Sequence, residues 1–313
     1  MSGISVRSWI SSIADRGREL LDLPISTPQD SFTQLGAMCK DLVSQKGEAR
    51  GTAVAREVVR LWENLPEEDH LRFFQMMQND FSADRTKVSK AADAFAKDPS
   101  ETNLAALTQA SEPARQELLR RINMAPGGTR AIVDMRETLI GLLKTNRDLE
   151  PLNADMQHLL TSWFNRGFLE LRHIDWDTSA AILEKLIRYE AVHEIQGWDD
   201  LRRRLATDRK CFAFFHPAIP DDPLIFVEVA LVHGLADSVQ ALLAPEIDEK
   251  APETAKTAIF YSISNCQAGL KGISFGNFLI KQVVEELKRE FPQLKQFATL
   301  SPIPGFMGWL RTR

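Results

Sequence analysis

Lys271-Gly272-Ile273-Ser274-Phe275-Gly276-Asn277 stands between two kinds of sequence. Before it, 258–264 is an apolar run with strand character. After it, 276–291 places Phe278, Leu279, Val283, Val284 and Leu287 at helical spacing. A second apolar run at 297–300 leads into Ser301-Pro302-Ile303-Pro304-Gly305-Phe306. Strand, glycine turn, helix and strand make a crossover unit, expected to be right-handed. Backbone N–H groups at a helix start are unpaired and partly positive, so such a turn suits phosphate. Gly272 and Gly276 let the backbone approach closely, and Lys271 adds a full charge; plain tight packing accounts for the two glycines equally well. Pro302 pushes Ser301 towards an extended conformation, and Pro304 with Gly305 is expected to stop a helix from starting. The Ser301 hydroxyl is thus expected at the open end of a strand. A cradle followed by a fixed hydroxyl suggests a large phosphorylated ligand with its reactive end near Ser301.

Working outward, 224–232 is the strongest strand, apolar on both faces except for Glu228, and is expected to be central. The run 211–215 is a shorter strand ended by His216-Pro217. Asp177 or Thr178 is expected to cap a helix carrying Ile182, Leu183, Leu186 and Ile187. The first half of the chain reads as helices at 30–45, 52–65, 67–80, 87–97 and 101–123, with Pro66 at a helix start and Thr129 capping a further helix to Leu143. Strand signals begin only near residue 168. The domains are expected at 1–161, all helical, and 162–313, α/β.

Bulk composition narrows the function classes. The 38 basic residues against 43 acidic ones argue against a nucleic-acid binder, which needs a basic excess. The local run Arg202-Arg203-Arg204 reads as a solvated helix face. Cys39, Cys211 and Cys266 are odd in number and widely spaced, which suits a reducing compartment rather than a disulfide framework. No apolar run approaches the roughly 20 residues of a membrane helix. The first 23 residues mix Arg7, Arg16 and Arg18 with Asp15, Glu19 and Asp22, unlike a signal or transit peptide, so a simple first helix and a cytoplasmic location are expected.

Few residues offer chemistry. A nucleophilic serine needs a base, and no histidine stands in triad spacing to Ser301; an ordinary Ser-Pro turn is the competing explanation. Glu228 is either a buried functional carboxylate or the partner of a polar group on a neighbouring element. His216 reads as a strand-end histidine, Cys266 as a buried thiol, and no spacing suits a metal.

The turn resembles the Gln/Arg-x-x-Gly-x-Gly/Ala turn of the acyl-CoA N-acetyltransferase superfamily, departing from it at Lys271 and at Ser274. More of the chain resembles the malonyl-CoA decarboxylase family. The similarity is carried by Arg120-Arg121-Ile122-Asn123-Met124-Ala125-Pro126-Gly127-Gly128-Thr129, Trp163-Phe164-Asn165-Arg166-Gly167-Phe168-Leu169 and Tyr189-Glu190-Ala191-Val192-His193. It continues through Cys211-Phe212-Ala213-Phe214-Phe215-His216-Pro217, Phe260-Tyr261-Ser262-Ile263-Ser264 and Leu300-Ser301-Pro302-Ile303-Pro304-Gly305-Phe306.

This resemblance implies an α+β protein, with a helical N-terminal domain followed by an incomplete α/β acetyltransferase-like domain. It implies decarboxylation of malonyl-CoA to acetyl-CoA and CO₂, a CoA-binding turn on Lys271, Gly272, Ile273, Ser274, Phe275, Gly276 and Asn277, a catalytic Ser301, and a further site lysine at Lys185. It also implies a homo-oligomer built on the helical domain. Neither nucleic acid nor membrane is an expected partner. No metal, biotin or pyridoxal cofactor is implied, because the CoA thioester of the substrate is itself the electron sink. The family's general acid is a histidine in a later His-Leu-x-Asn-Gly-Ala segment. This sequence has no such segment, and the chain is expected to be a member truncated at its C-terminus. Two alternatives stay open: another CoA-dependent acyltransferase, and a catalytically inactive interaction fragment.

Overall fold

The computed structural model describes residues 31–44, 48–274, 278–303 and 305–312. The chain divides into two compact units, Met1–Trp163 and Phe164–Arg313. The helix expected within residues 1–23 lies outside the described residues.

The first unit is helical: α1 (Ser31–Ser44), α2 (Glu48–Glu63), α3 (Glu67–Asp80), α4 (Arg85–Lys97), α5 (Glu101–Ser111), α6 (Ala114–Asn123), α7 (Gly128–Leu142) and α8 (Glu150–Trp163). Phe73, Phe74 and Met77 of α3 are fully buried, as are Leu118, Leu119 and Ile122 of α6. Trp62 stacks on His70 with ring centroids 4.7 Å apart, which gives that histidine a packing role. The Arg115 guanidinium donates to Asp155 at 2.6 Å and ties α6 to α8.

Three local expectations are corrected. The single helix expected over 101–123 breaks at Pro113, whose ring lacks an N–H and clashes with the preceding turn; Pro113 becomes the N-cap of α6. Pro66 likewise takes the N-cap position before α3, and Glu67, Glu68 and Asp69 fill the first turn. Thr129 does not cap α7. Gly127 does, at φ +77°, and Thr129 Oγ1 donates to Asn123 Oδ1 at 2.7 Å.

Gly128 serves a different need from its neighbour. A Cβ there would overlap the carbonyl oxygen of Ile122. Gly128→Ala is therefore expected to lower stability by about 1–3 kcal/mol through overpacking. An unchanged denaturant midpoint would refute that explanation of the Gly127-Gly128 pair.

The second unit is a five-stranded sheet in the order β1-β2-β3-β4-β5, with β1 (Glu170–Ile174), β2 (Arg209–Phe215), β3 (Ile225–Val232), β4 (Thr257–Asn265) and β5 (Gln296–Thr299). The first four strands pair antiparallel, and β5 pairs parallel with β4. β3 is buried along nearly its whole length at the sheet centre, as its two-faced apolar run requires. One face, with Cys211, Ala213 and Phe226, packs against Leu183 and Leu186 of α9 (Ala180–Tyr189) and Leu201 of α10 (Trp198–Arg204). The same face further along, at Ala230, Ile259 and Tyr261, meets Leu242 of α11 (Val239–Leu243). A short α12 (Ala251–Thr254) precedes β4, and α13 (Phe278–Glu290) joins β4 to β5. Lys210 of β2 reaches Glu290 of α13 at 2.6 Å. α9 begins after Ser179 rather than at Asp177 or Thr178, because Thr178 instead closes a turn onto Asp175.

Candidate active site

β4 and β5 part company at a definite point. Their ladder runs from Thr257↔Gln296 to Phe260↔Thr299, and the Leu300 N–H makes one more bond to the Phe260 carbonyl at 2.8 Å. The chain then reads Ser301-Pro302-Ile303-Pro304, and the two prolines have no N–H to donate. Beyond Phe260, one edge of β4 carries no strand among the described residues. The parting coincides with a bulge in the ladder on the other side of β4. Glu228 faces Ser262 and Val229 faces Phe260, so Tyr261 is the extra residue.

Ser301 lies exposed just past the end of β5. A helix does start after Gly305, against expectation: Gly305 adopts φ +79° as its N-cap, and α14 (Phe306–Arg311) follows. The left-handed glycine lets the chain turn out of the proline segment directly into a helix.

Residues 270–273 form a turn after the short 3-10 helix that follows β4. Lys271 has φ −54° and ψ 132°, Gly272 has φ +82°, and the Ile273 N–H bonds the Leu270 carbonyl at 3.0 Å. These are the angles of a type II turn, in which the third position favours glycine. Ile273 is buried and anchors the turn, while Lys271, Gly272 and Ser274 are exposed. Phe275, Gly276 and Asn277 lie outside the described residues.

Lys185 sits on α9 with its ammonium engaged. It contacts Asp222 Oδ1 at 2.7 Å and donates to the Asp221 carbonyl at 2.9 Å, strapping the helix to the β2–β3 hairpin. His216 is a strand-end residue whose Nδ1 accepts from the Ala218 N–H at 3.1 Å. Burial pushes the Cys211 and Cys266 thiols well up and Cys39 up to about 12, so none is a ready thiolate.

Under the open edge lies a buried polar network that the sequence only half disclosed. Glu190, just past α9, accepts from the Val192 and His193 N–H groups at 2.7 Å each. It also accepts from Ser262 Oγ at 2.8 Å and Ser264 Oγ at 3.1 Å. Glu228 takes the second of its two sequence readings: it pairs with Arg204 at 2.8 Å, both side chains almost fully buried. Arg204 also donates to Asp200 at 3.1 Å and to the His193 carbonyl at 3.1 Å. Burial pushes Glu228 up to about 8 against the pull of Arg204. The solvated face expected for Arg202-Arg203-Arg204 is thereby corrected. Only Arg202 is exposed, whereas Arg203 holds the Asp208 carboxylate through two nitrogens. Two signals were available: serines at 262 and 264, on one face of an apolar strand, and the lone Glu228 across from them.

A cavity of about 480 Å³ opens at the opposite end of β3, over Arg203, Asp208, Arg209 and Leu231. Its guanidinium groups are committed to Asp208 and to the carbonyls of Leu242, Ala244 and Glu246, so neither is free to hold an anionic ligand. The edge between the Lys271 turn and Ser301 is the better candidate.

Residues 81–164 and 167–313 match the families described as Malonyl-CoA decarboxylase N-terminal domain and Malonyl-CoA decarboxylase C-terminal domain. A solved structure of malonyl-CoA decarboxylase from Rhodopseudomonas palustris superimposes with a TM-score of 0.85 at 50% identity, over 91% of this chain and 69% of that one. The chain belongs to the malonyl-CoA decarboxylase family. The enzyme of that name from Agrobacterium vitis gives a TM-score of 0.84 at 53% identity, over 89% of this chain and 68% of that one. Among curated relatives, the goose protein named Malonyl-CoA decarboxylase, mitochondrial (Anser anser anser), is 36% identical over 248 residues, 75% of this chain and 49% of its own length. The chain thus spans about half the length of the curated relatives it matches. The α+β architecture, helical first and a mixed sheet second, is that of the family's solved members.

The Arg204–Glu228 pair yields a direct test. Arg204→Met is expected to lower stability by about 3–5 kcal/mol by leaving a buried carboxylate unpaired. The sign with pH follows from the raised carboxyl. At pH 6 Glu228 holds its proton and the loss is smaller; at pH 9 the charged form must be buried and the loss is larger. Equal losses at both pH values in denaturant melts would contradict the pairing.

Proposed function

We propose that the second unit binds malonyl-CoA along the open edge of β4 and decarboxylates it to acetyl-CoA and CO₂. One observation carries this: the sheet opens beside Ser301 at the end of β5, and the type II turn at Lys271 and Gly272 follows β4 in the chain. From Phe260 to Asn265 the edge extends about 17 Å at strand rise. Its unpaired backbone groups suit an extended arm bearing amides, added to the sheet like a strand. The exposed Lys271 ammonium would take the phosphates, leaving the acyl end by Ser301.

The chemistry asks little of the protein beyond charge placement. The bond between C2 and the carboxylate breaks, CO₂ leaves, and the electron pair passes to the thioester oxygen as an enolate. C2 then takes a proton. The Ser301 hydroxyl is the donor assigned to that oxygen as charge develops. The thioester is the electron sink, and no metal or organic cofactor enters this reaction. Lys185, held by Asp222, is assigned to positioning through the hairpin it straps rather than to proton transfer. The resemblance implies a histidine as the general acid that delivers this proton. A homo-oligomer through the helical unit belongs to the same proposal and is read by sedimentation. The proposed cytoplasmic location rests on the free thiols, whereas the goose and mouse relatives are named as mitochondrial. Among the described residues no helix is long and apolar enough to cross a membrane.

The test is CO₂ release from malonyl-CoA with CoA binding measured alongside. Ser301→Ala should cut turnover by about 10²–10³ while CoA affinity holds. Lys271→Ala should weaken CoA by roughly tenfold or less, the scale of one exposed charge contact. Acyl transfer to an amine without CO₂ release would favour an acyltransferase instead, and no affinity for CoA would reject the site.

A further inference from the structure

We propose that the imidazole of His193 reads the free carboxylate of the acyl group, and so selects malonyl-CoA over acetyl-CoA. This rests on the placement of the acyl end beside Ser301 given above. His193 lies in the link between α9 and α10, and both of its backbone groups are fixed by buried charge. Its N–H donates to Glu190 at 2.7 Å, and its carbonyl accepts from Arg204 at 3.1 Å. A short link is thereby held in one place over the sheet. The imidazole itself is half-buried and has no hydrogen-bond partner among the described residues. It rides over the ring of Tyr261, centroids 6.5 Å apart.

Tyr261 is the residue that bulges where β5 leaves β4, and Leu300, next to Ser301, packs into the cluster that Tyr261 belongs to. His193 and Ser301 therefore approach the same parting, one from over the sheet face and the other from the strand end. The anionic end of a malonyl group needs a donor there, and four cations of this face are already committed. Arg204 is held by Glu228 and Asp200, Arg203 and Arg209 by Asp208, and Lys185 by Asp222. The carboxylates Glu190 and Glu228 already have their own donors and leave the imidazole free. An imidazole N–H is also a suitable donor. A full cation gripping the carboxylate would stabilise the ground state that has to lose CO₂.

The test compares CoA, acetyl-CoA and sulfoacetyl-CoA by calorimetry. The last carries a sulfonate that mimics the carboxylate and cannot leave as CO₂. The chain should bind sulfoacetyl-CoA about tenfold or more tighter than acetyl-CoA, the scale of a hydrogen bond to a charged group. His193→Ala should erase that preference while CoA and acetyl-CoA affinities stay within about twofold, and His193→Gln, which keeps an N–H donor, should restore part of it. A merely structural loss would weaken all three ligands alike and would overturn the proposal. So would a preference that survives in His193→Ala, or CoA binding with no preference in the unaltered chain; in either case CoA binding itself would stand. Binding of none of the three would overturn both the CoA site and the role of His193.

Discussion

The site depends on a strand pair that stops. β5 can pair with β4 only while it has N–H groups to offer, and Pro302 and Pro304 end that supply immediately after Leu300. Because the pair is parallel and joined by a helix, the two strands are held side by side up to Phe260 and released together beyond it. The result is an edge that is buried in a sheet on one side and open on the other. Ser301 is fixed where the opening begins.

A sheet with an open central edge would be loose unless its covered face were firm, and here that face is firm for electrostatic reasons. Glu190 gathers four donors from two segments, and Arg204 bridges Glu228, Asp200 and the His193 carbonyl. Each buried charge is matched by a partner, as a low-dielectric interior requires. The network pins the link between α9 and α10 onto β4 at the bulge. The same contacts that stabilise the sheet thus place His193 over it.

Much of this was legible in the sequence. The helical first half, the central strand at 224–232 and the strand–turn–helix–strand unit all follow from periodicity and from Gly and Pro. The type II turn at Gly272 could be expected from its glycine. What periodicity could not show was pairing between distant charges. Arg203 and Arg204 look like any solvated helix face until Asp208 and Glu228 are brought beneath them by the fold. β1 carries little strand signal because its Glu170, Arg172 and His173 dilute the pattern; as an edge strand it needs only one buried face. The helix after Gly305 is not legible in the sequence because a left-handed glycine can serve as an N-cap as well as a stop. The family's phrases include these segments, but the physical reason for Glu190 and for the serines at 262 and 264 appears only when the three are side by side.

Amide hydrogen exchange across 257–274, with and without CoA, shows whether the open edge of β4 holds the CoA arm. Protection is expected at 262–265 and through the 270–273 turn, with Thr257–Phe260, already paired to β5, unchanged. Binding that protects another surface and leaves 262–265 exchanging as before would contradict it.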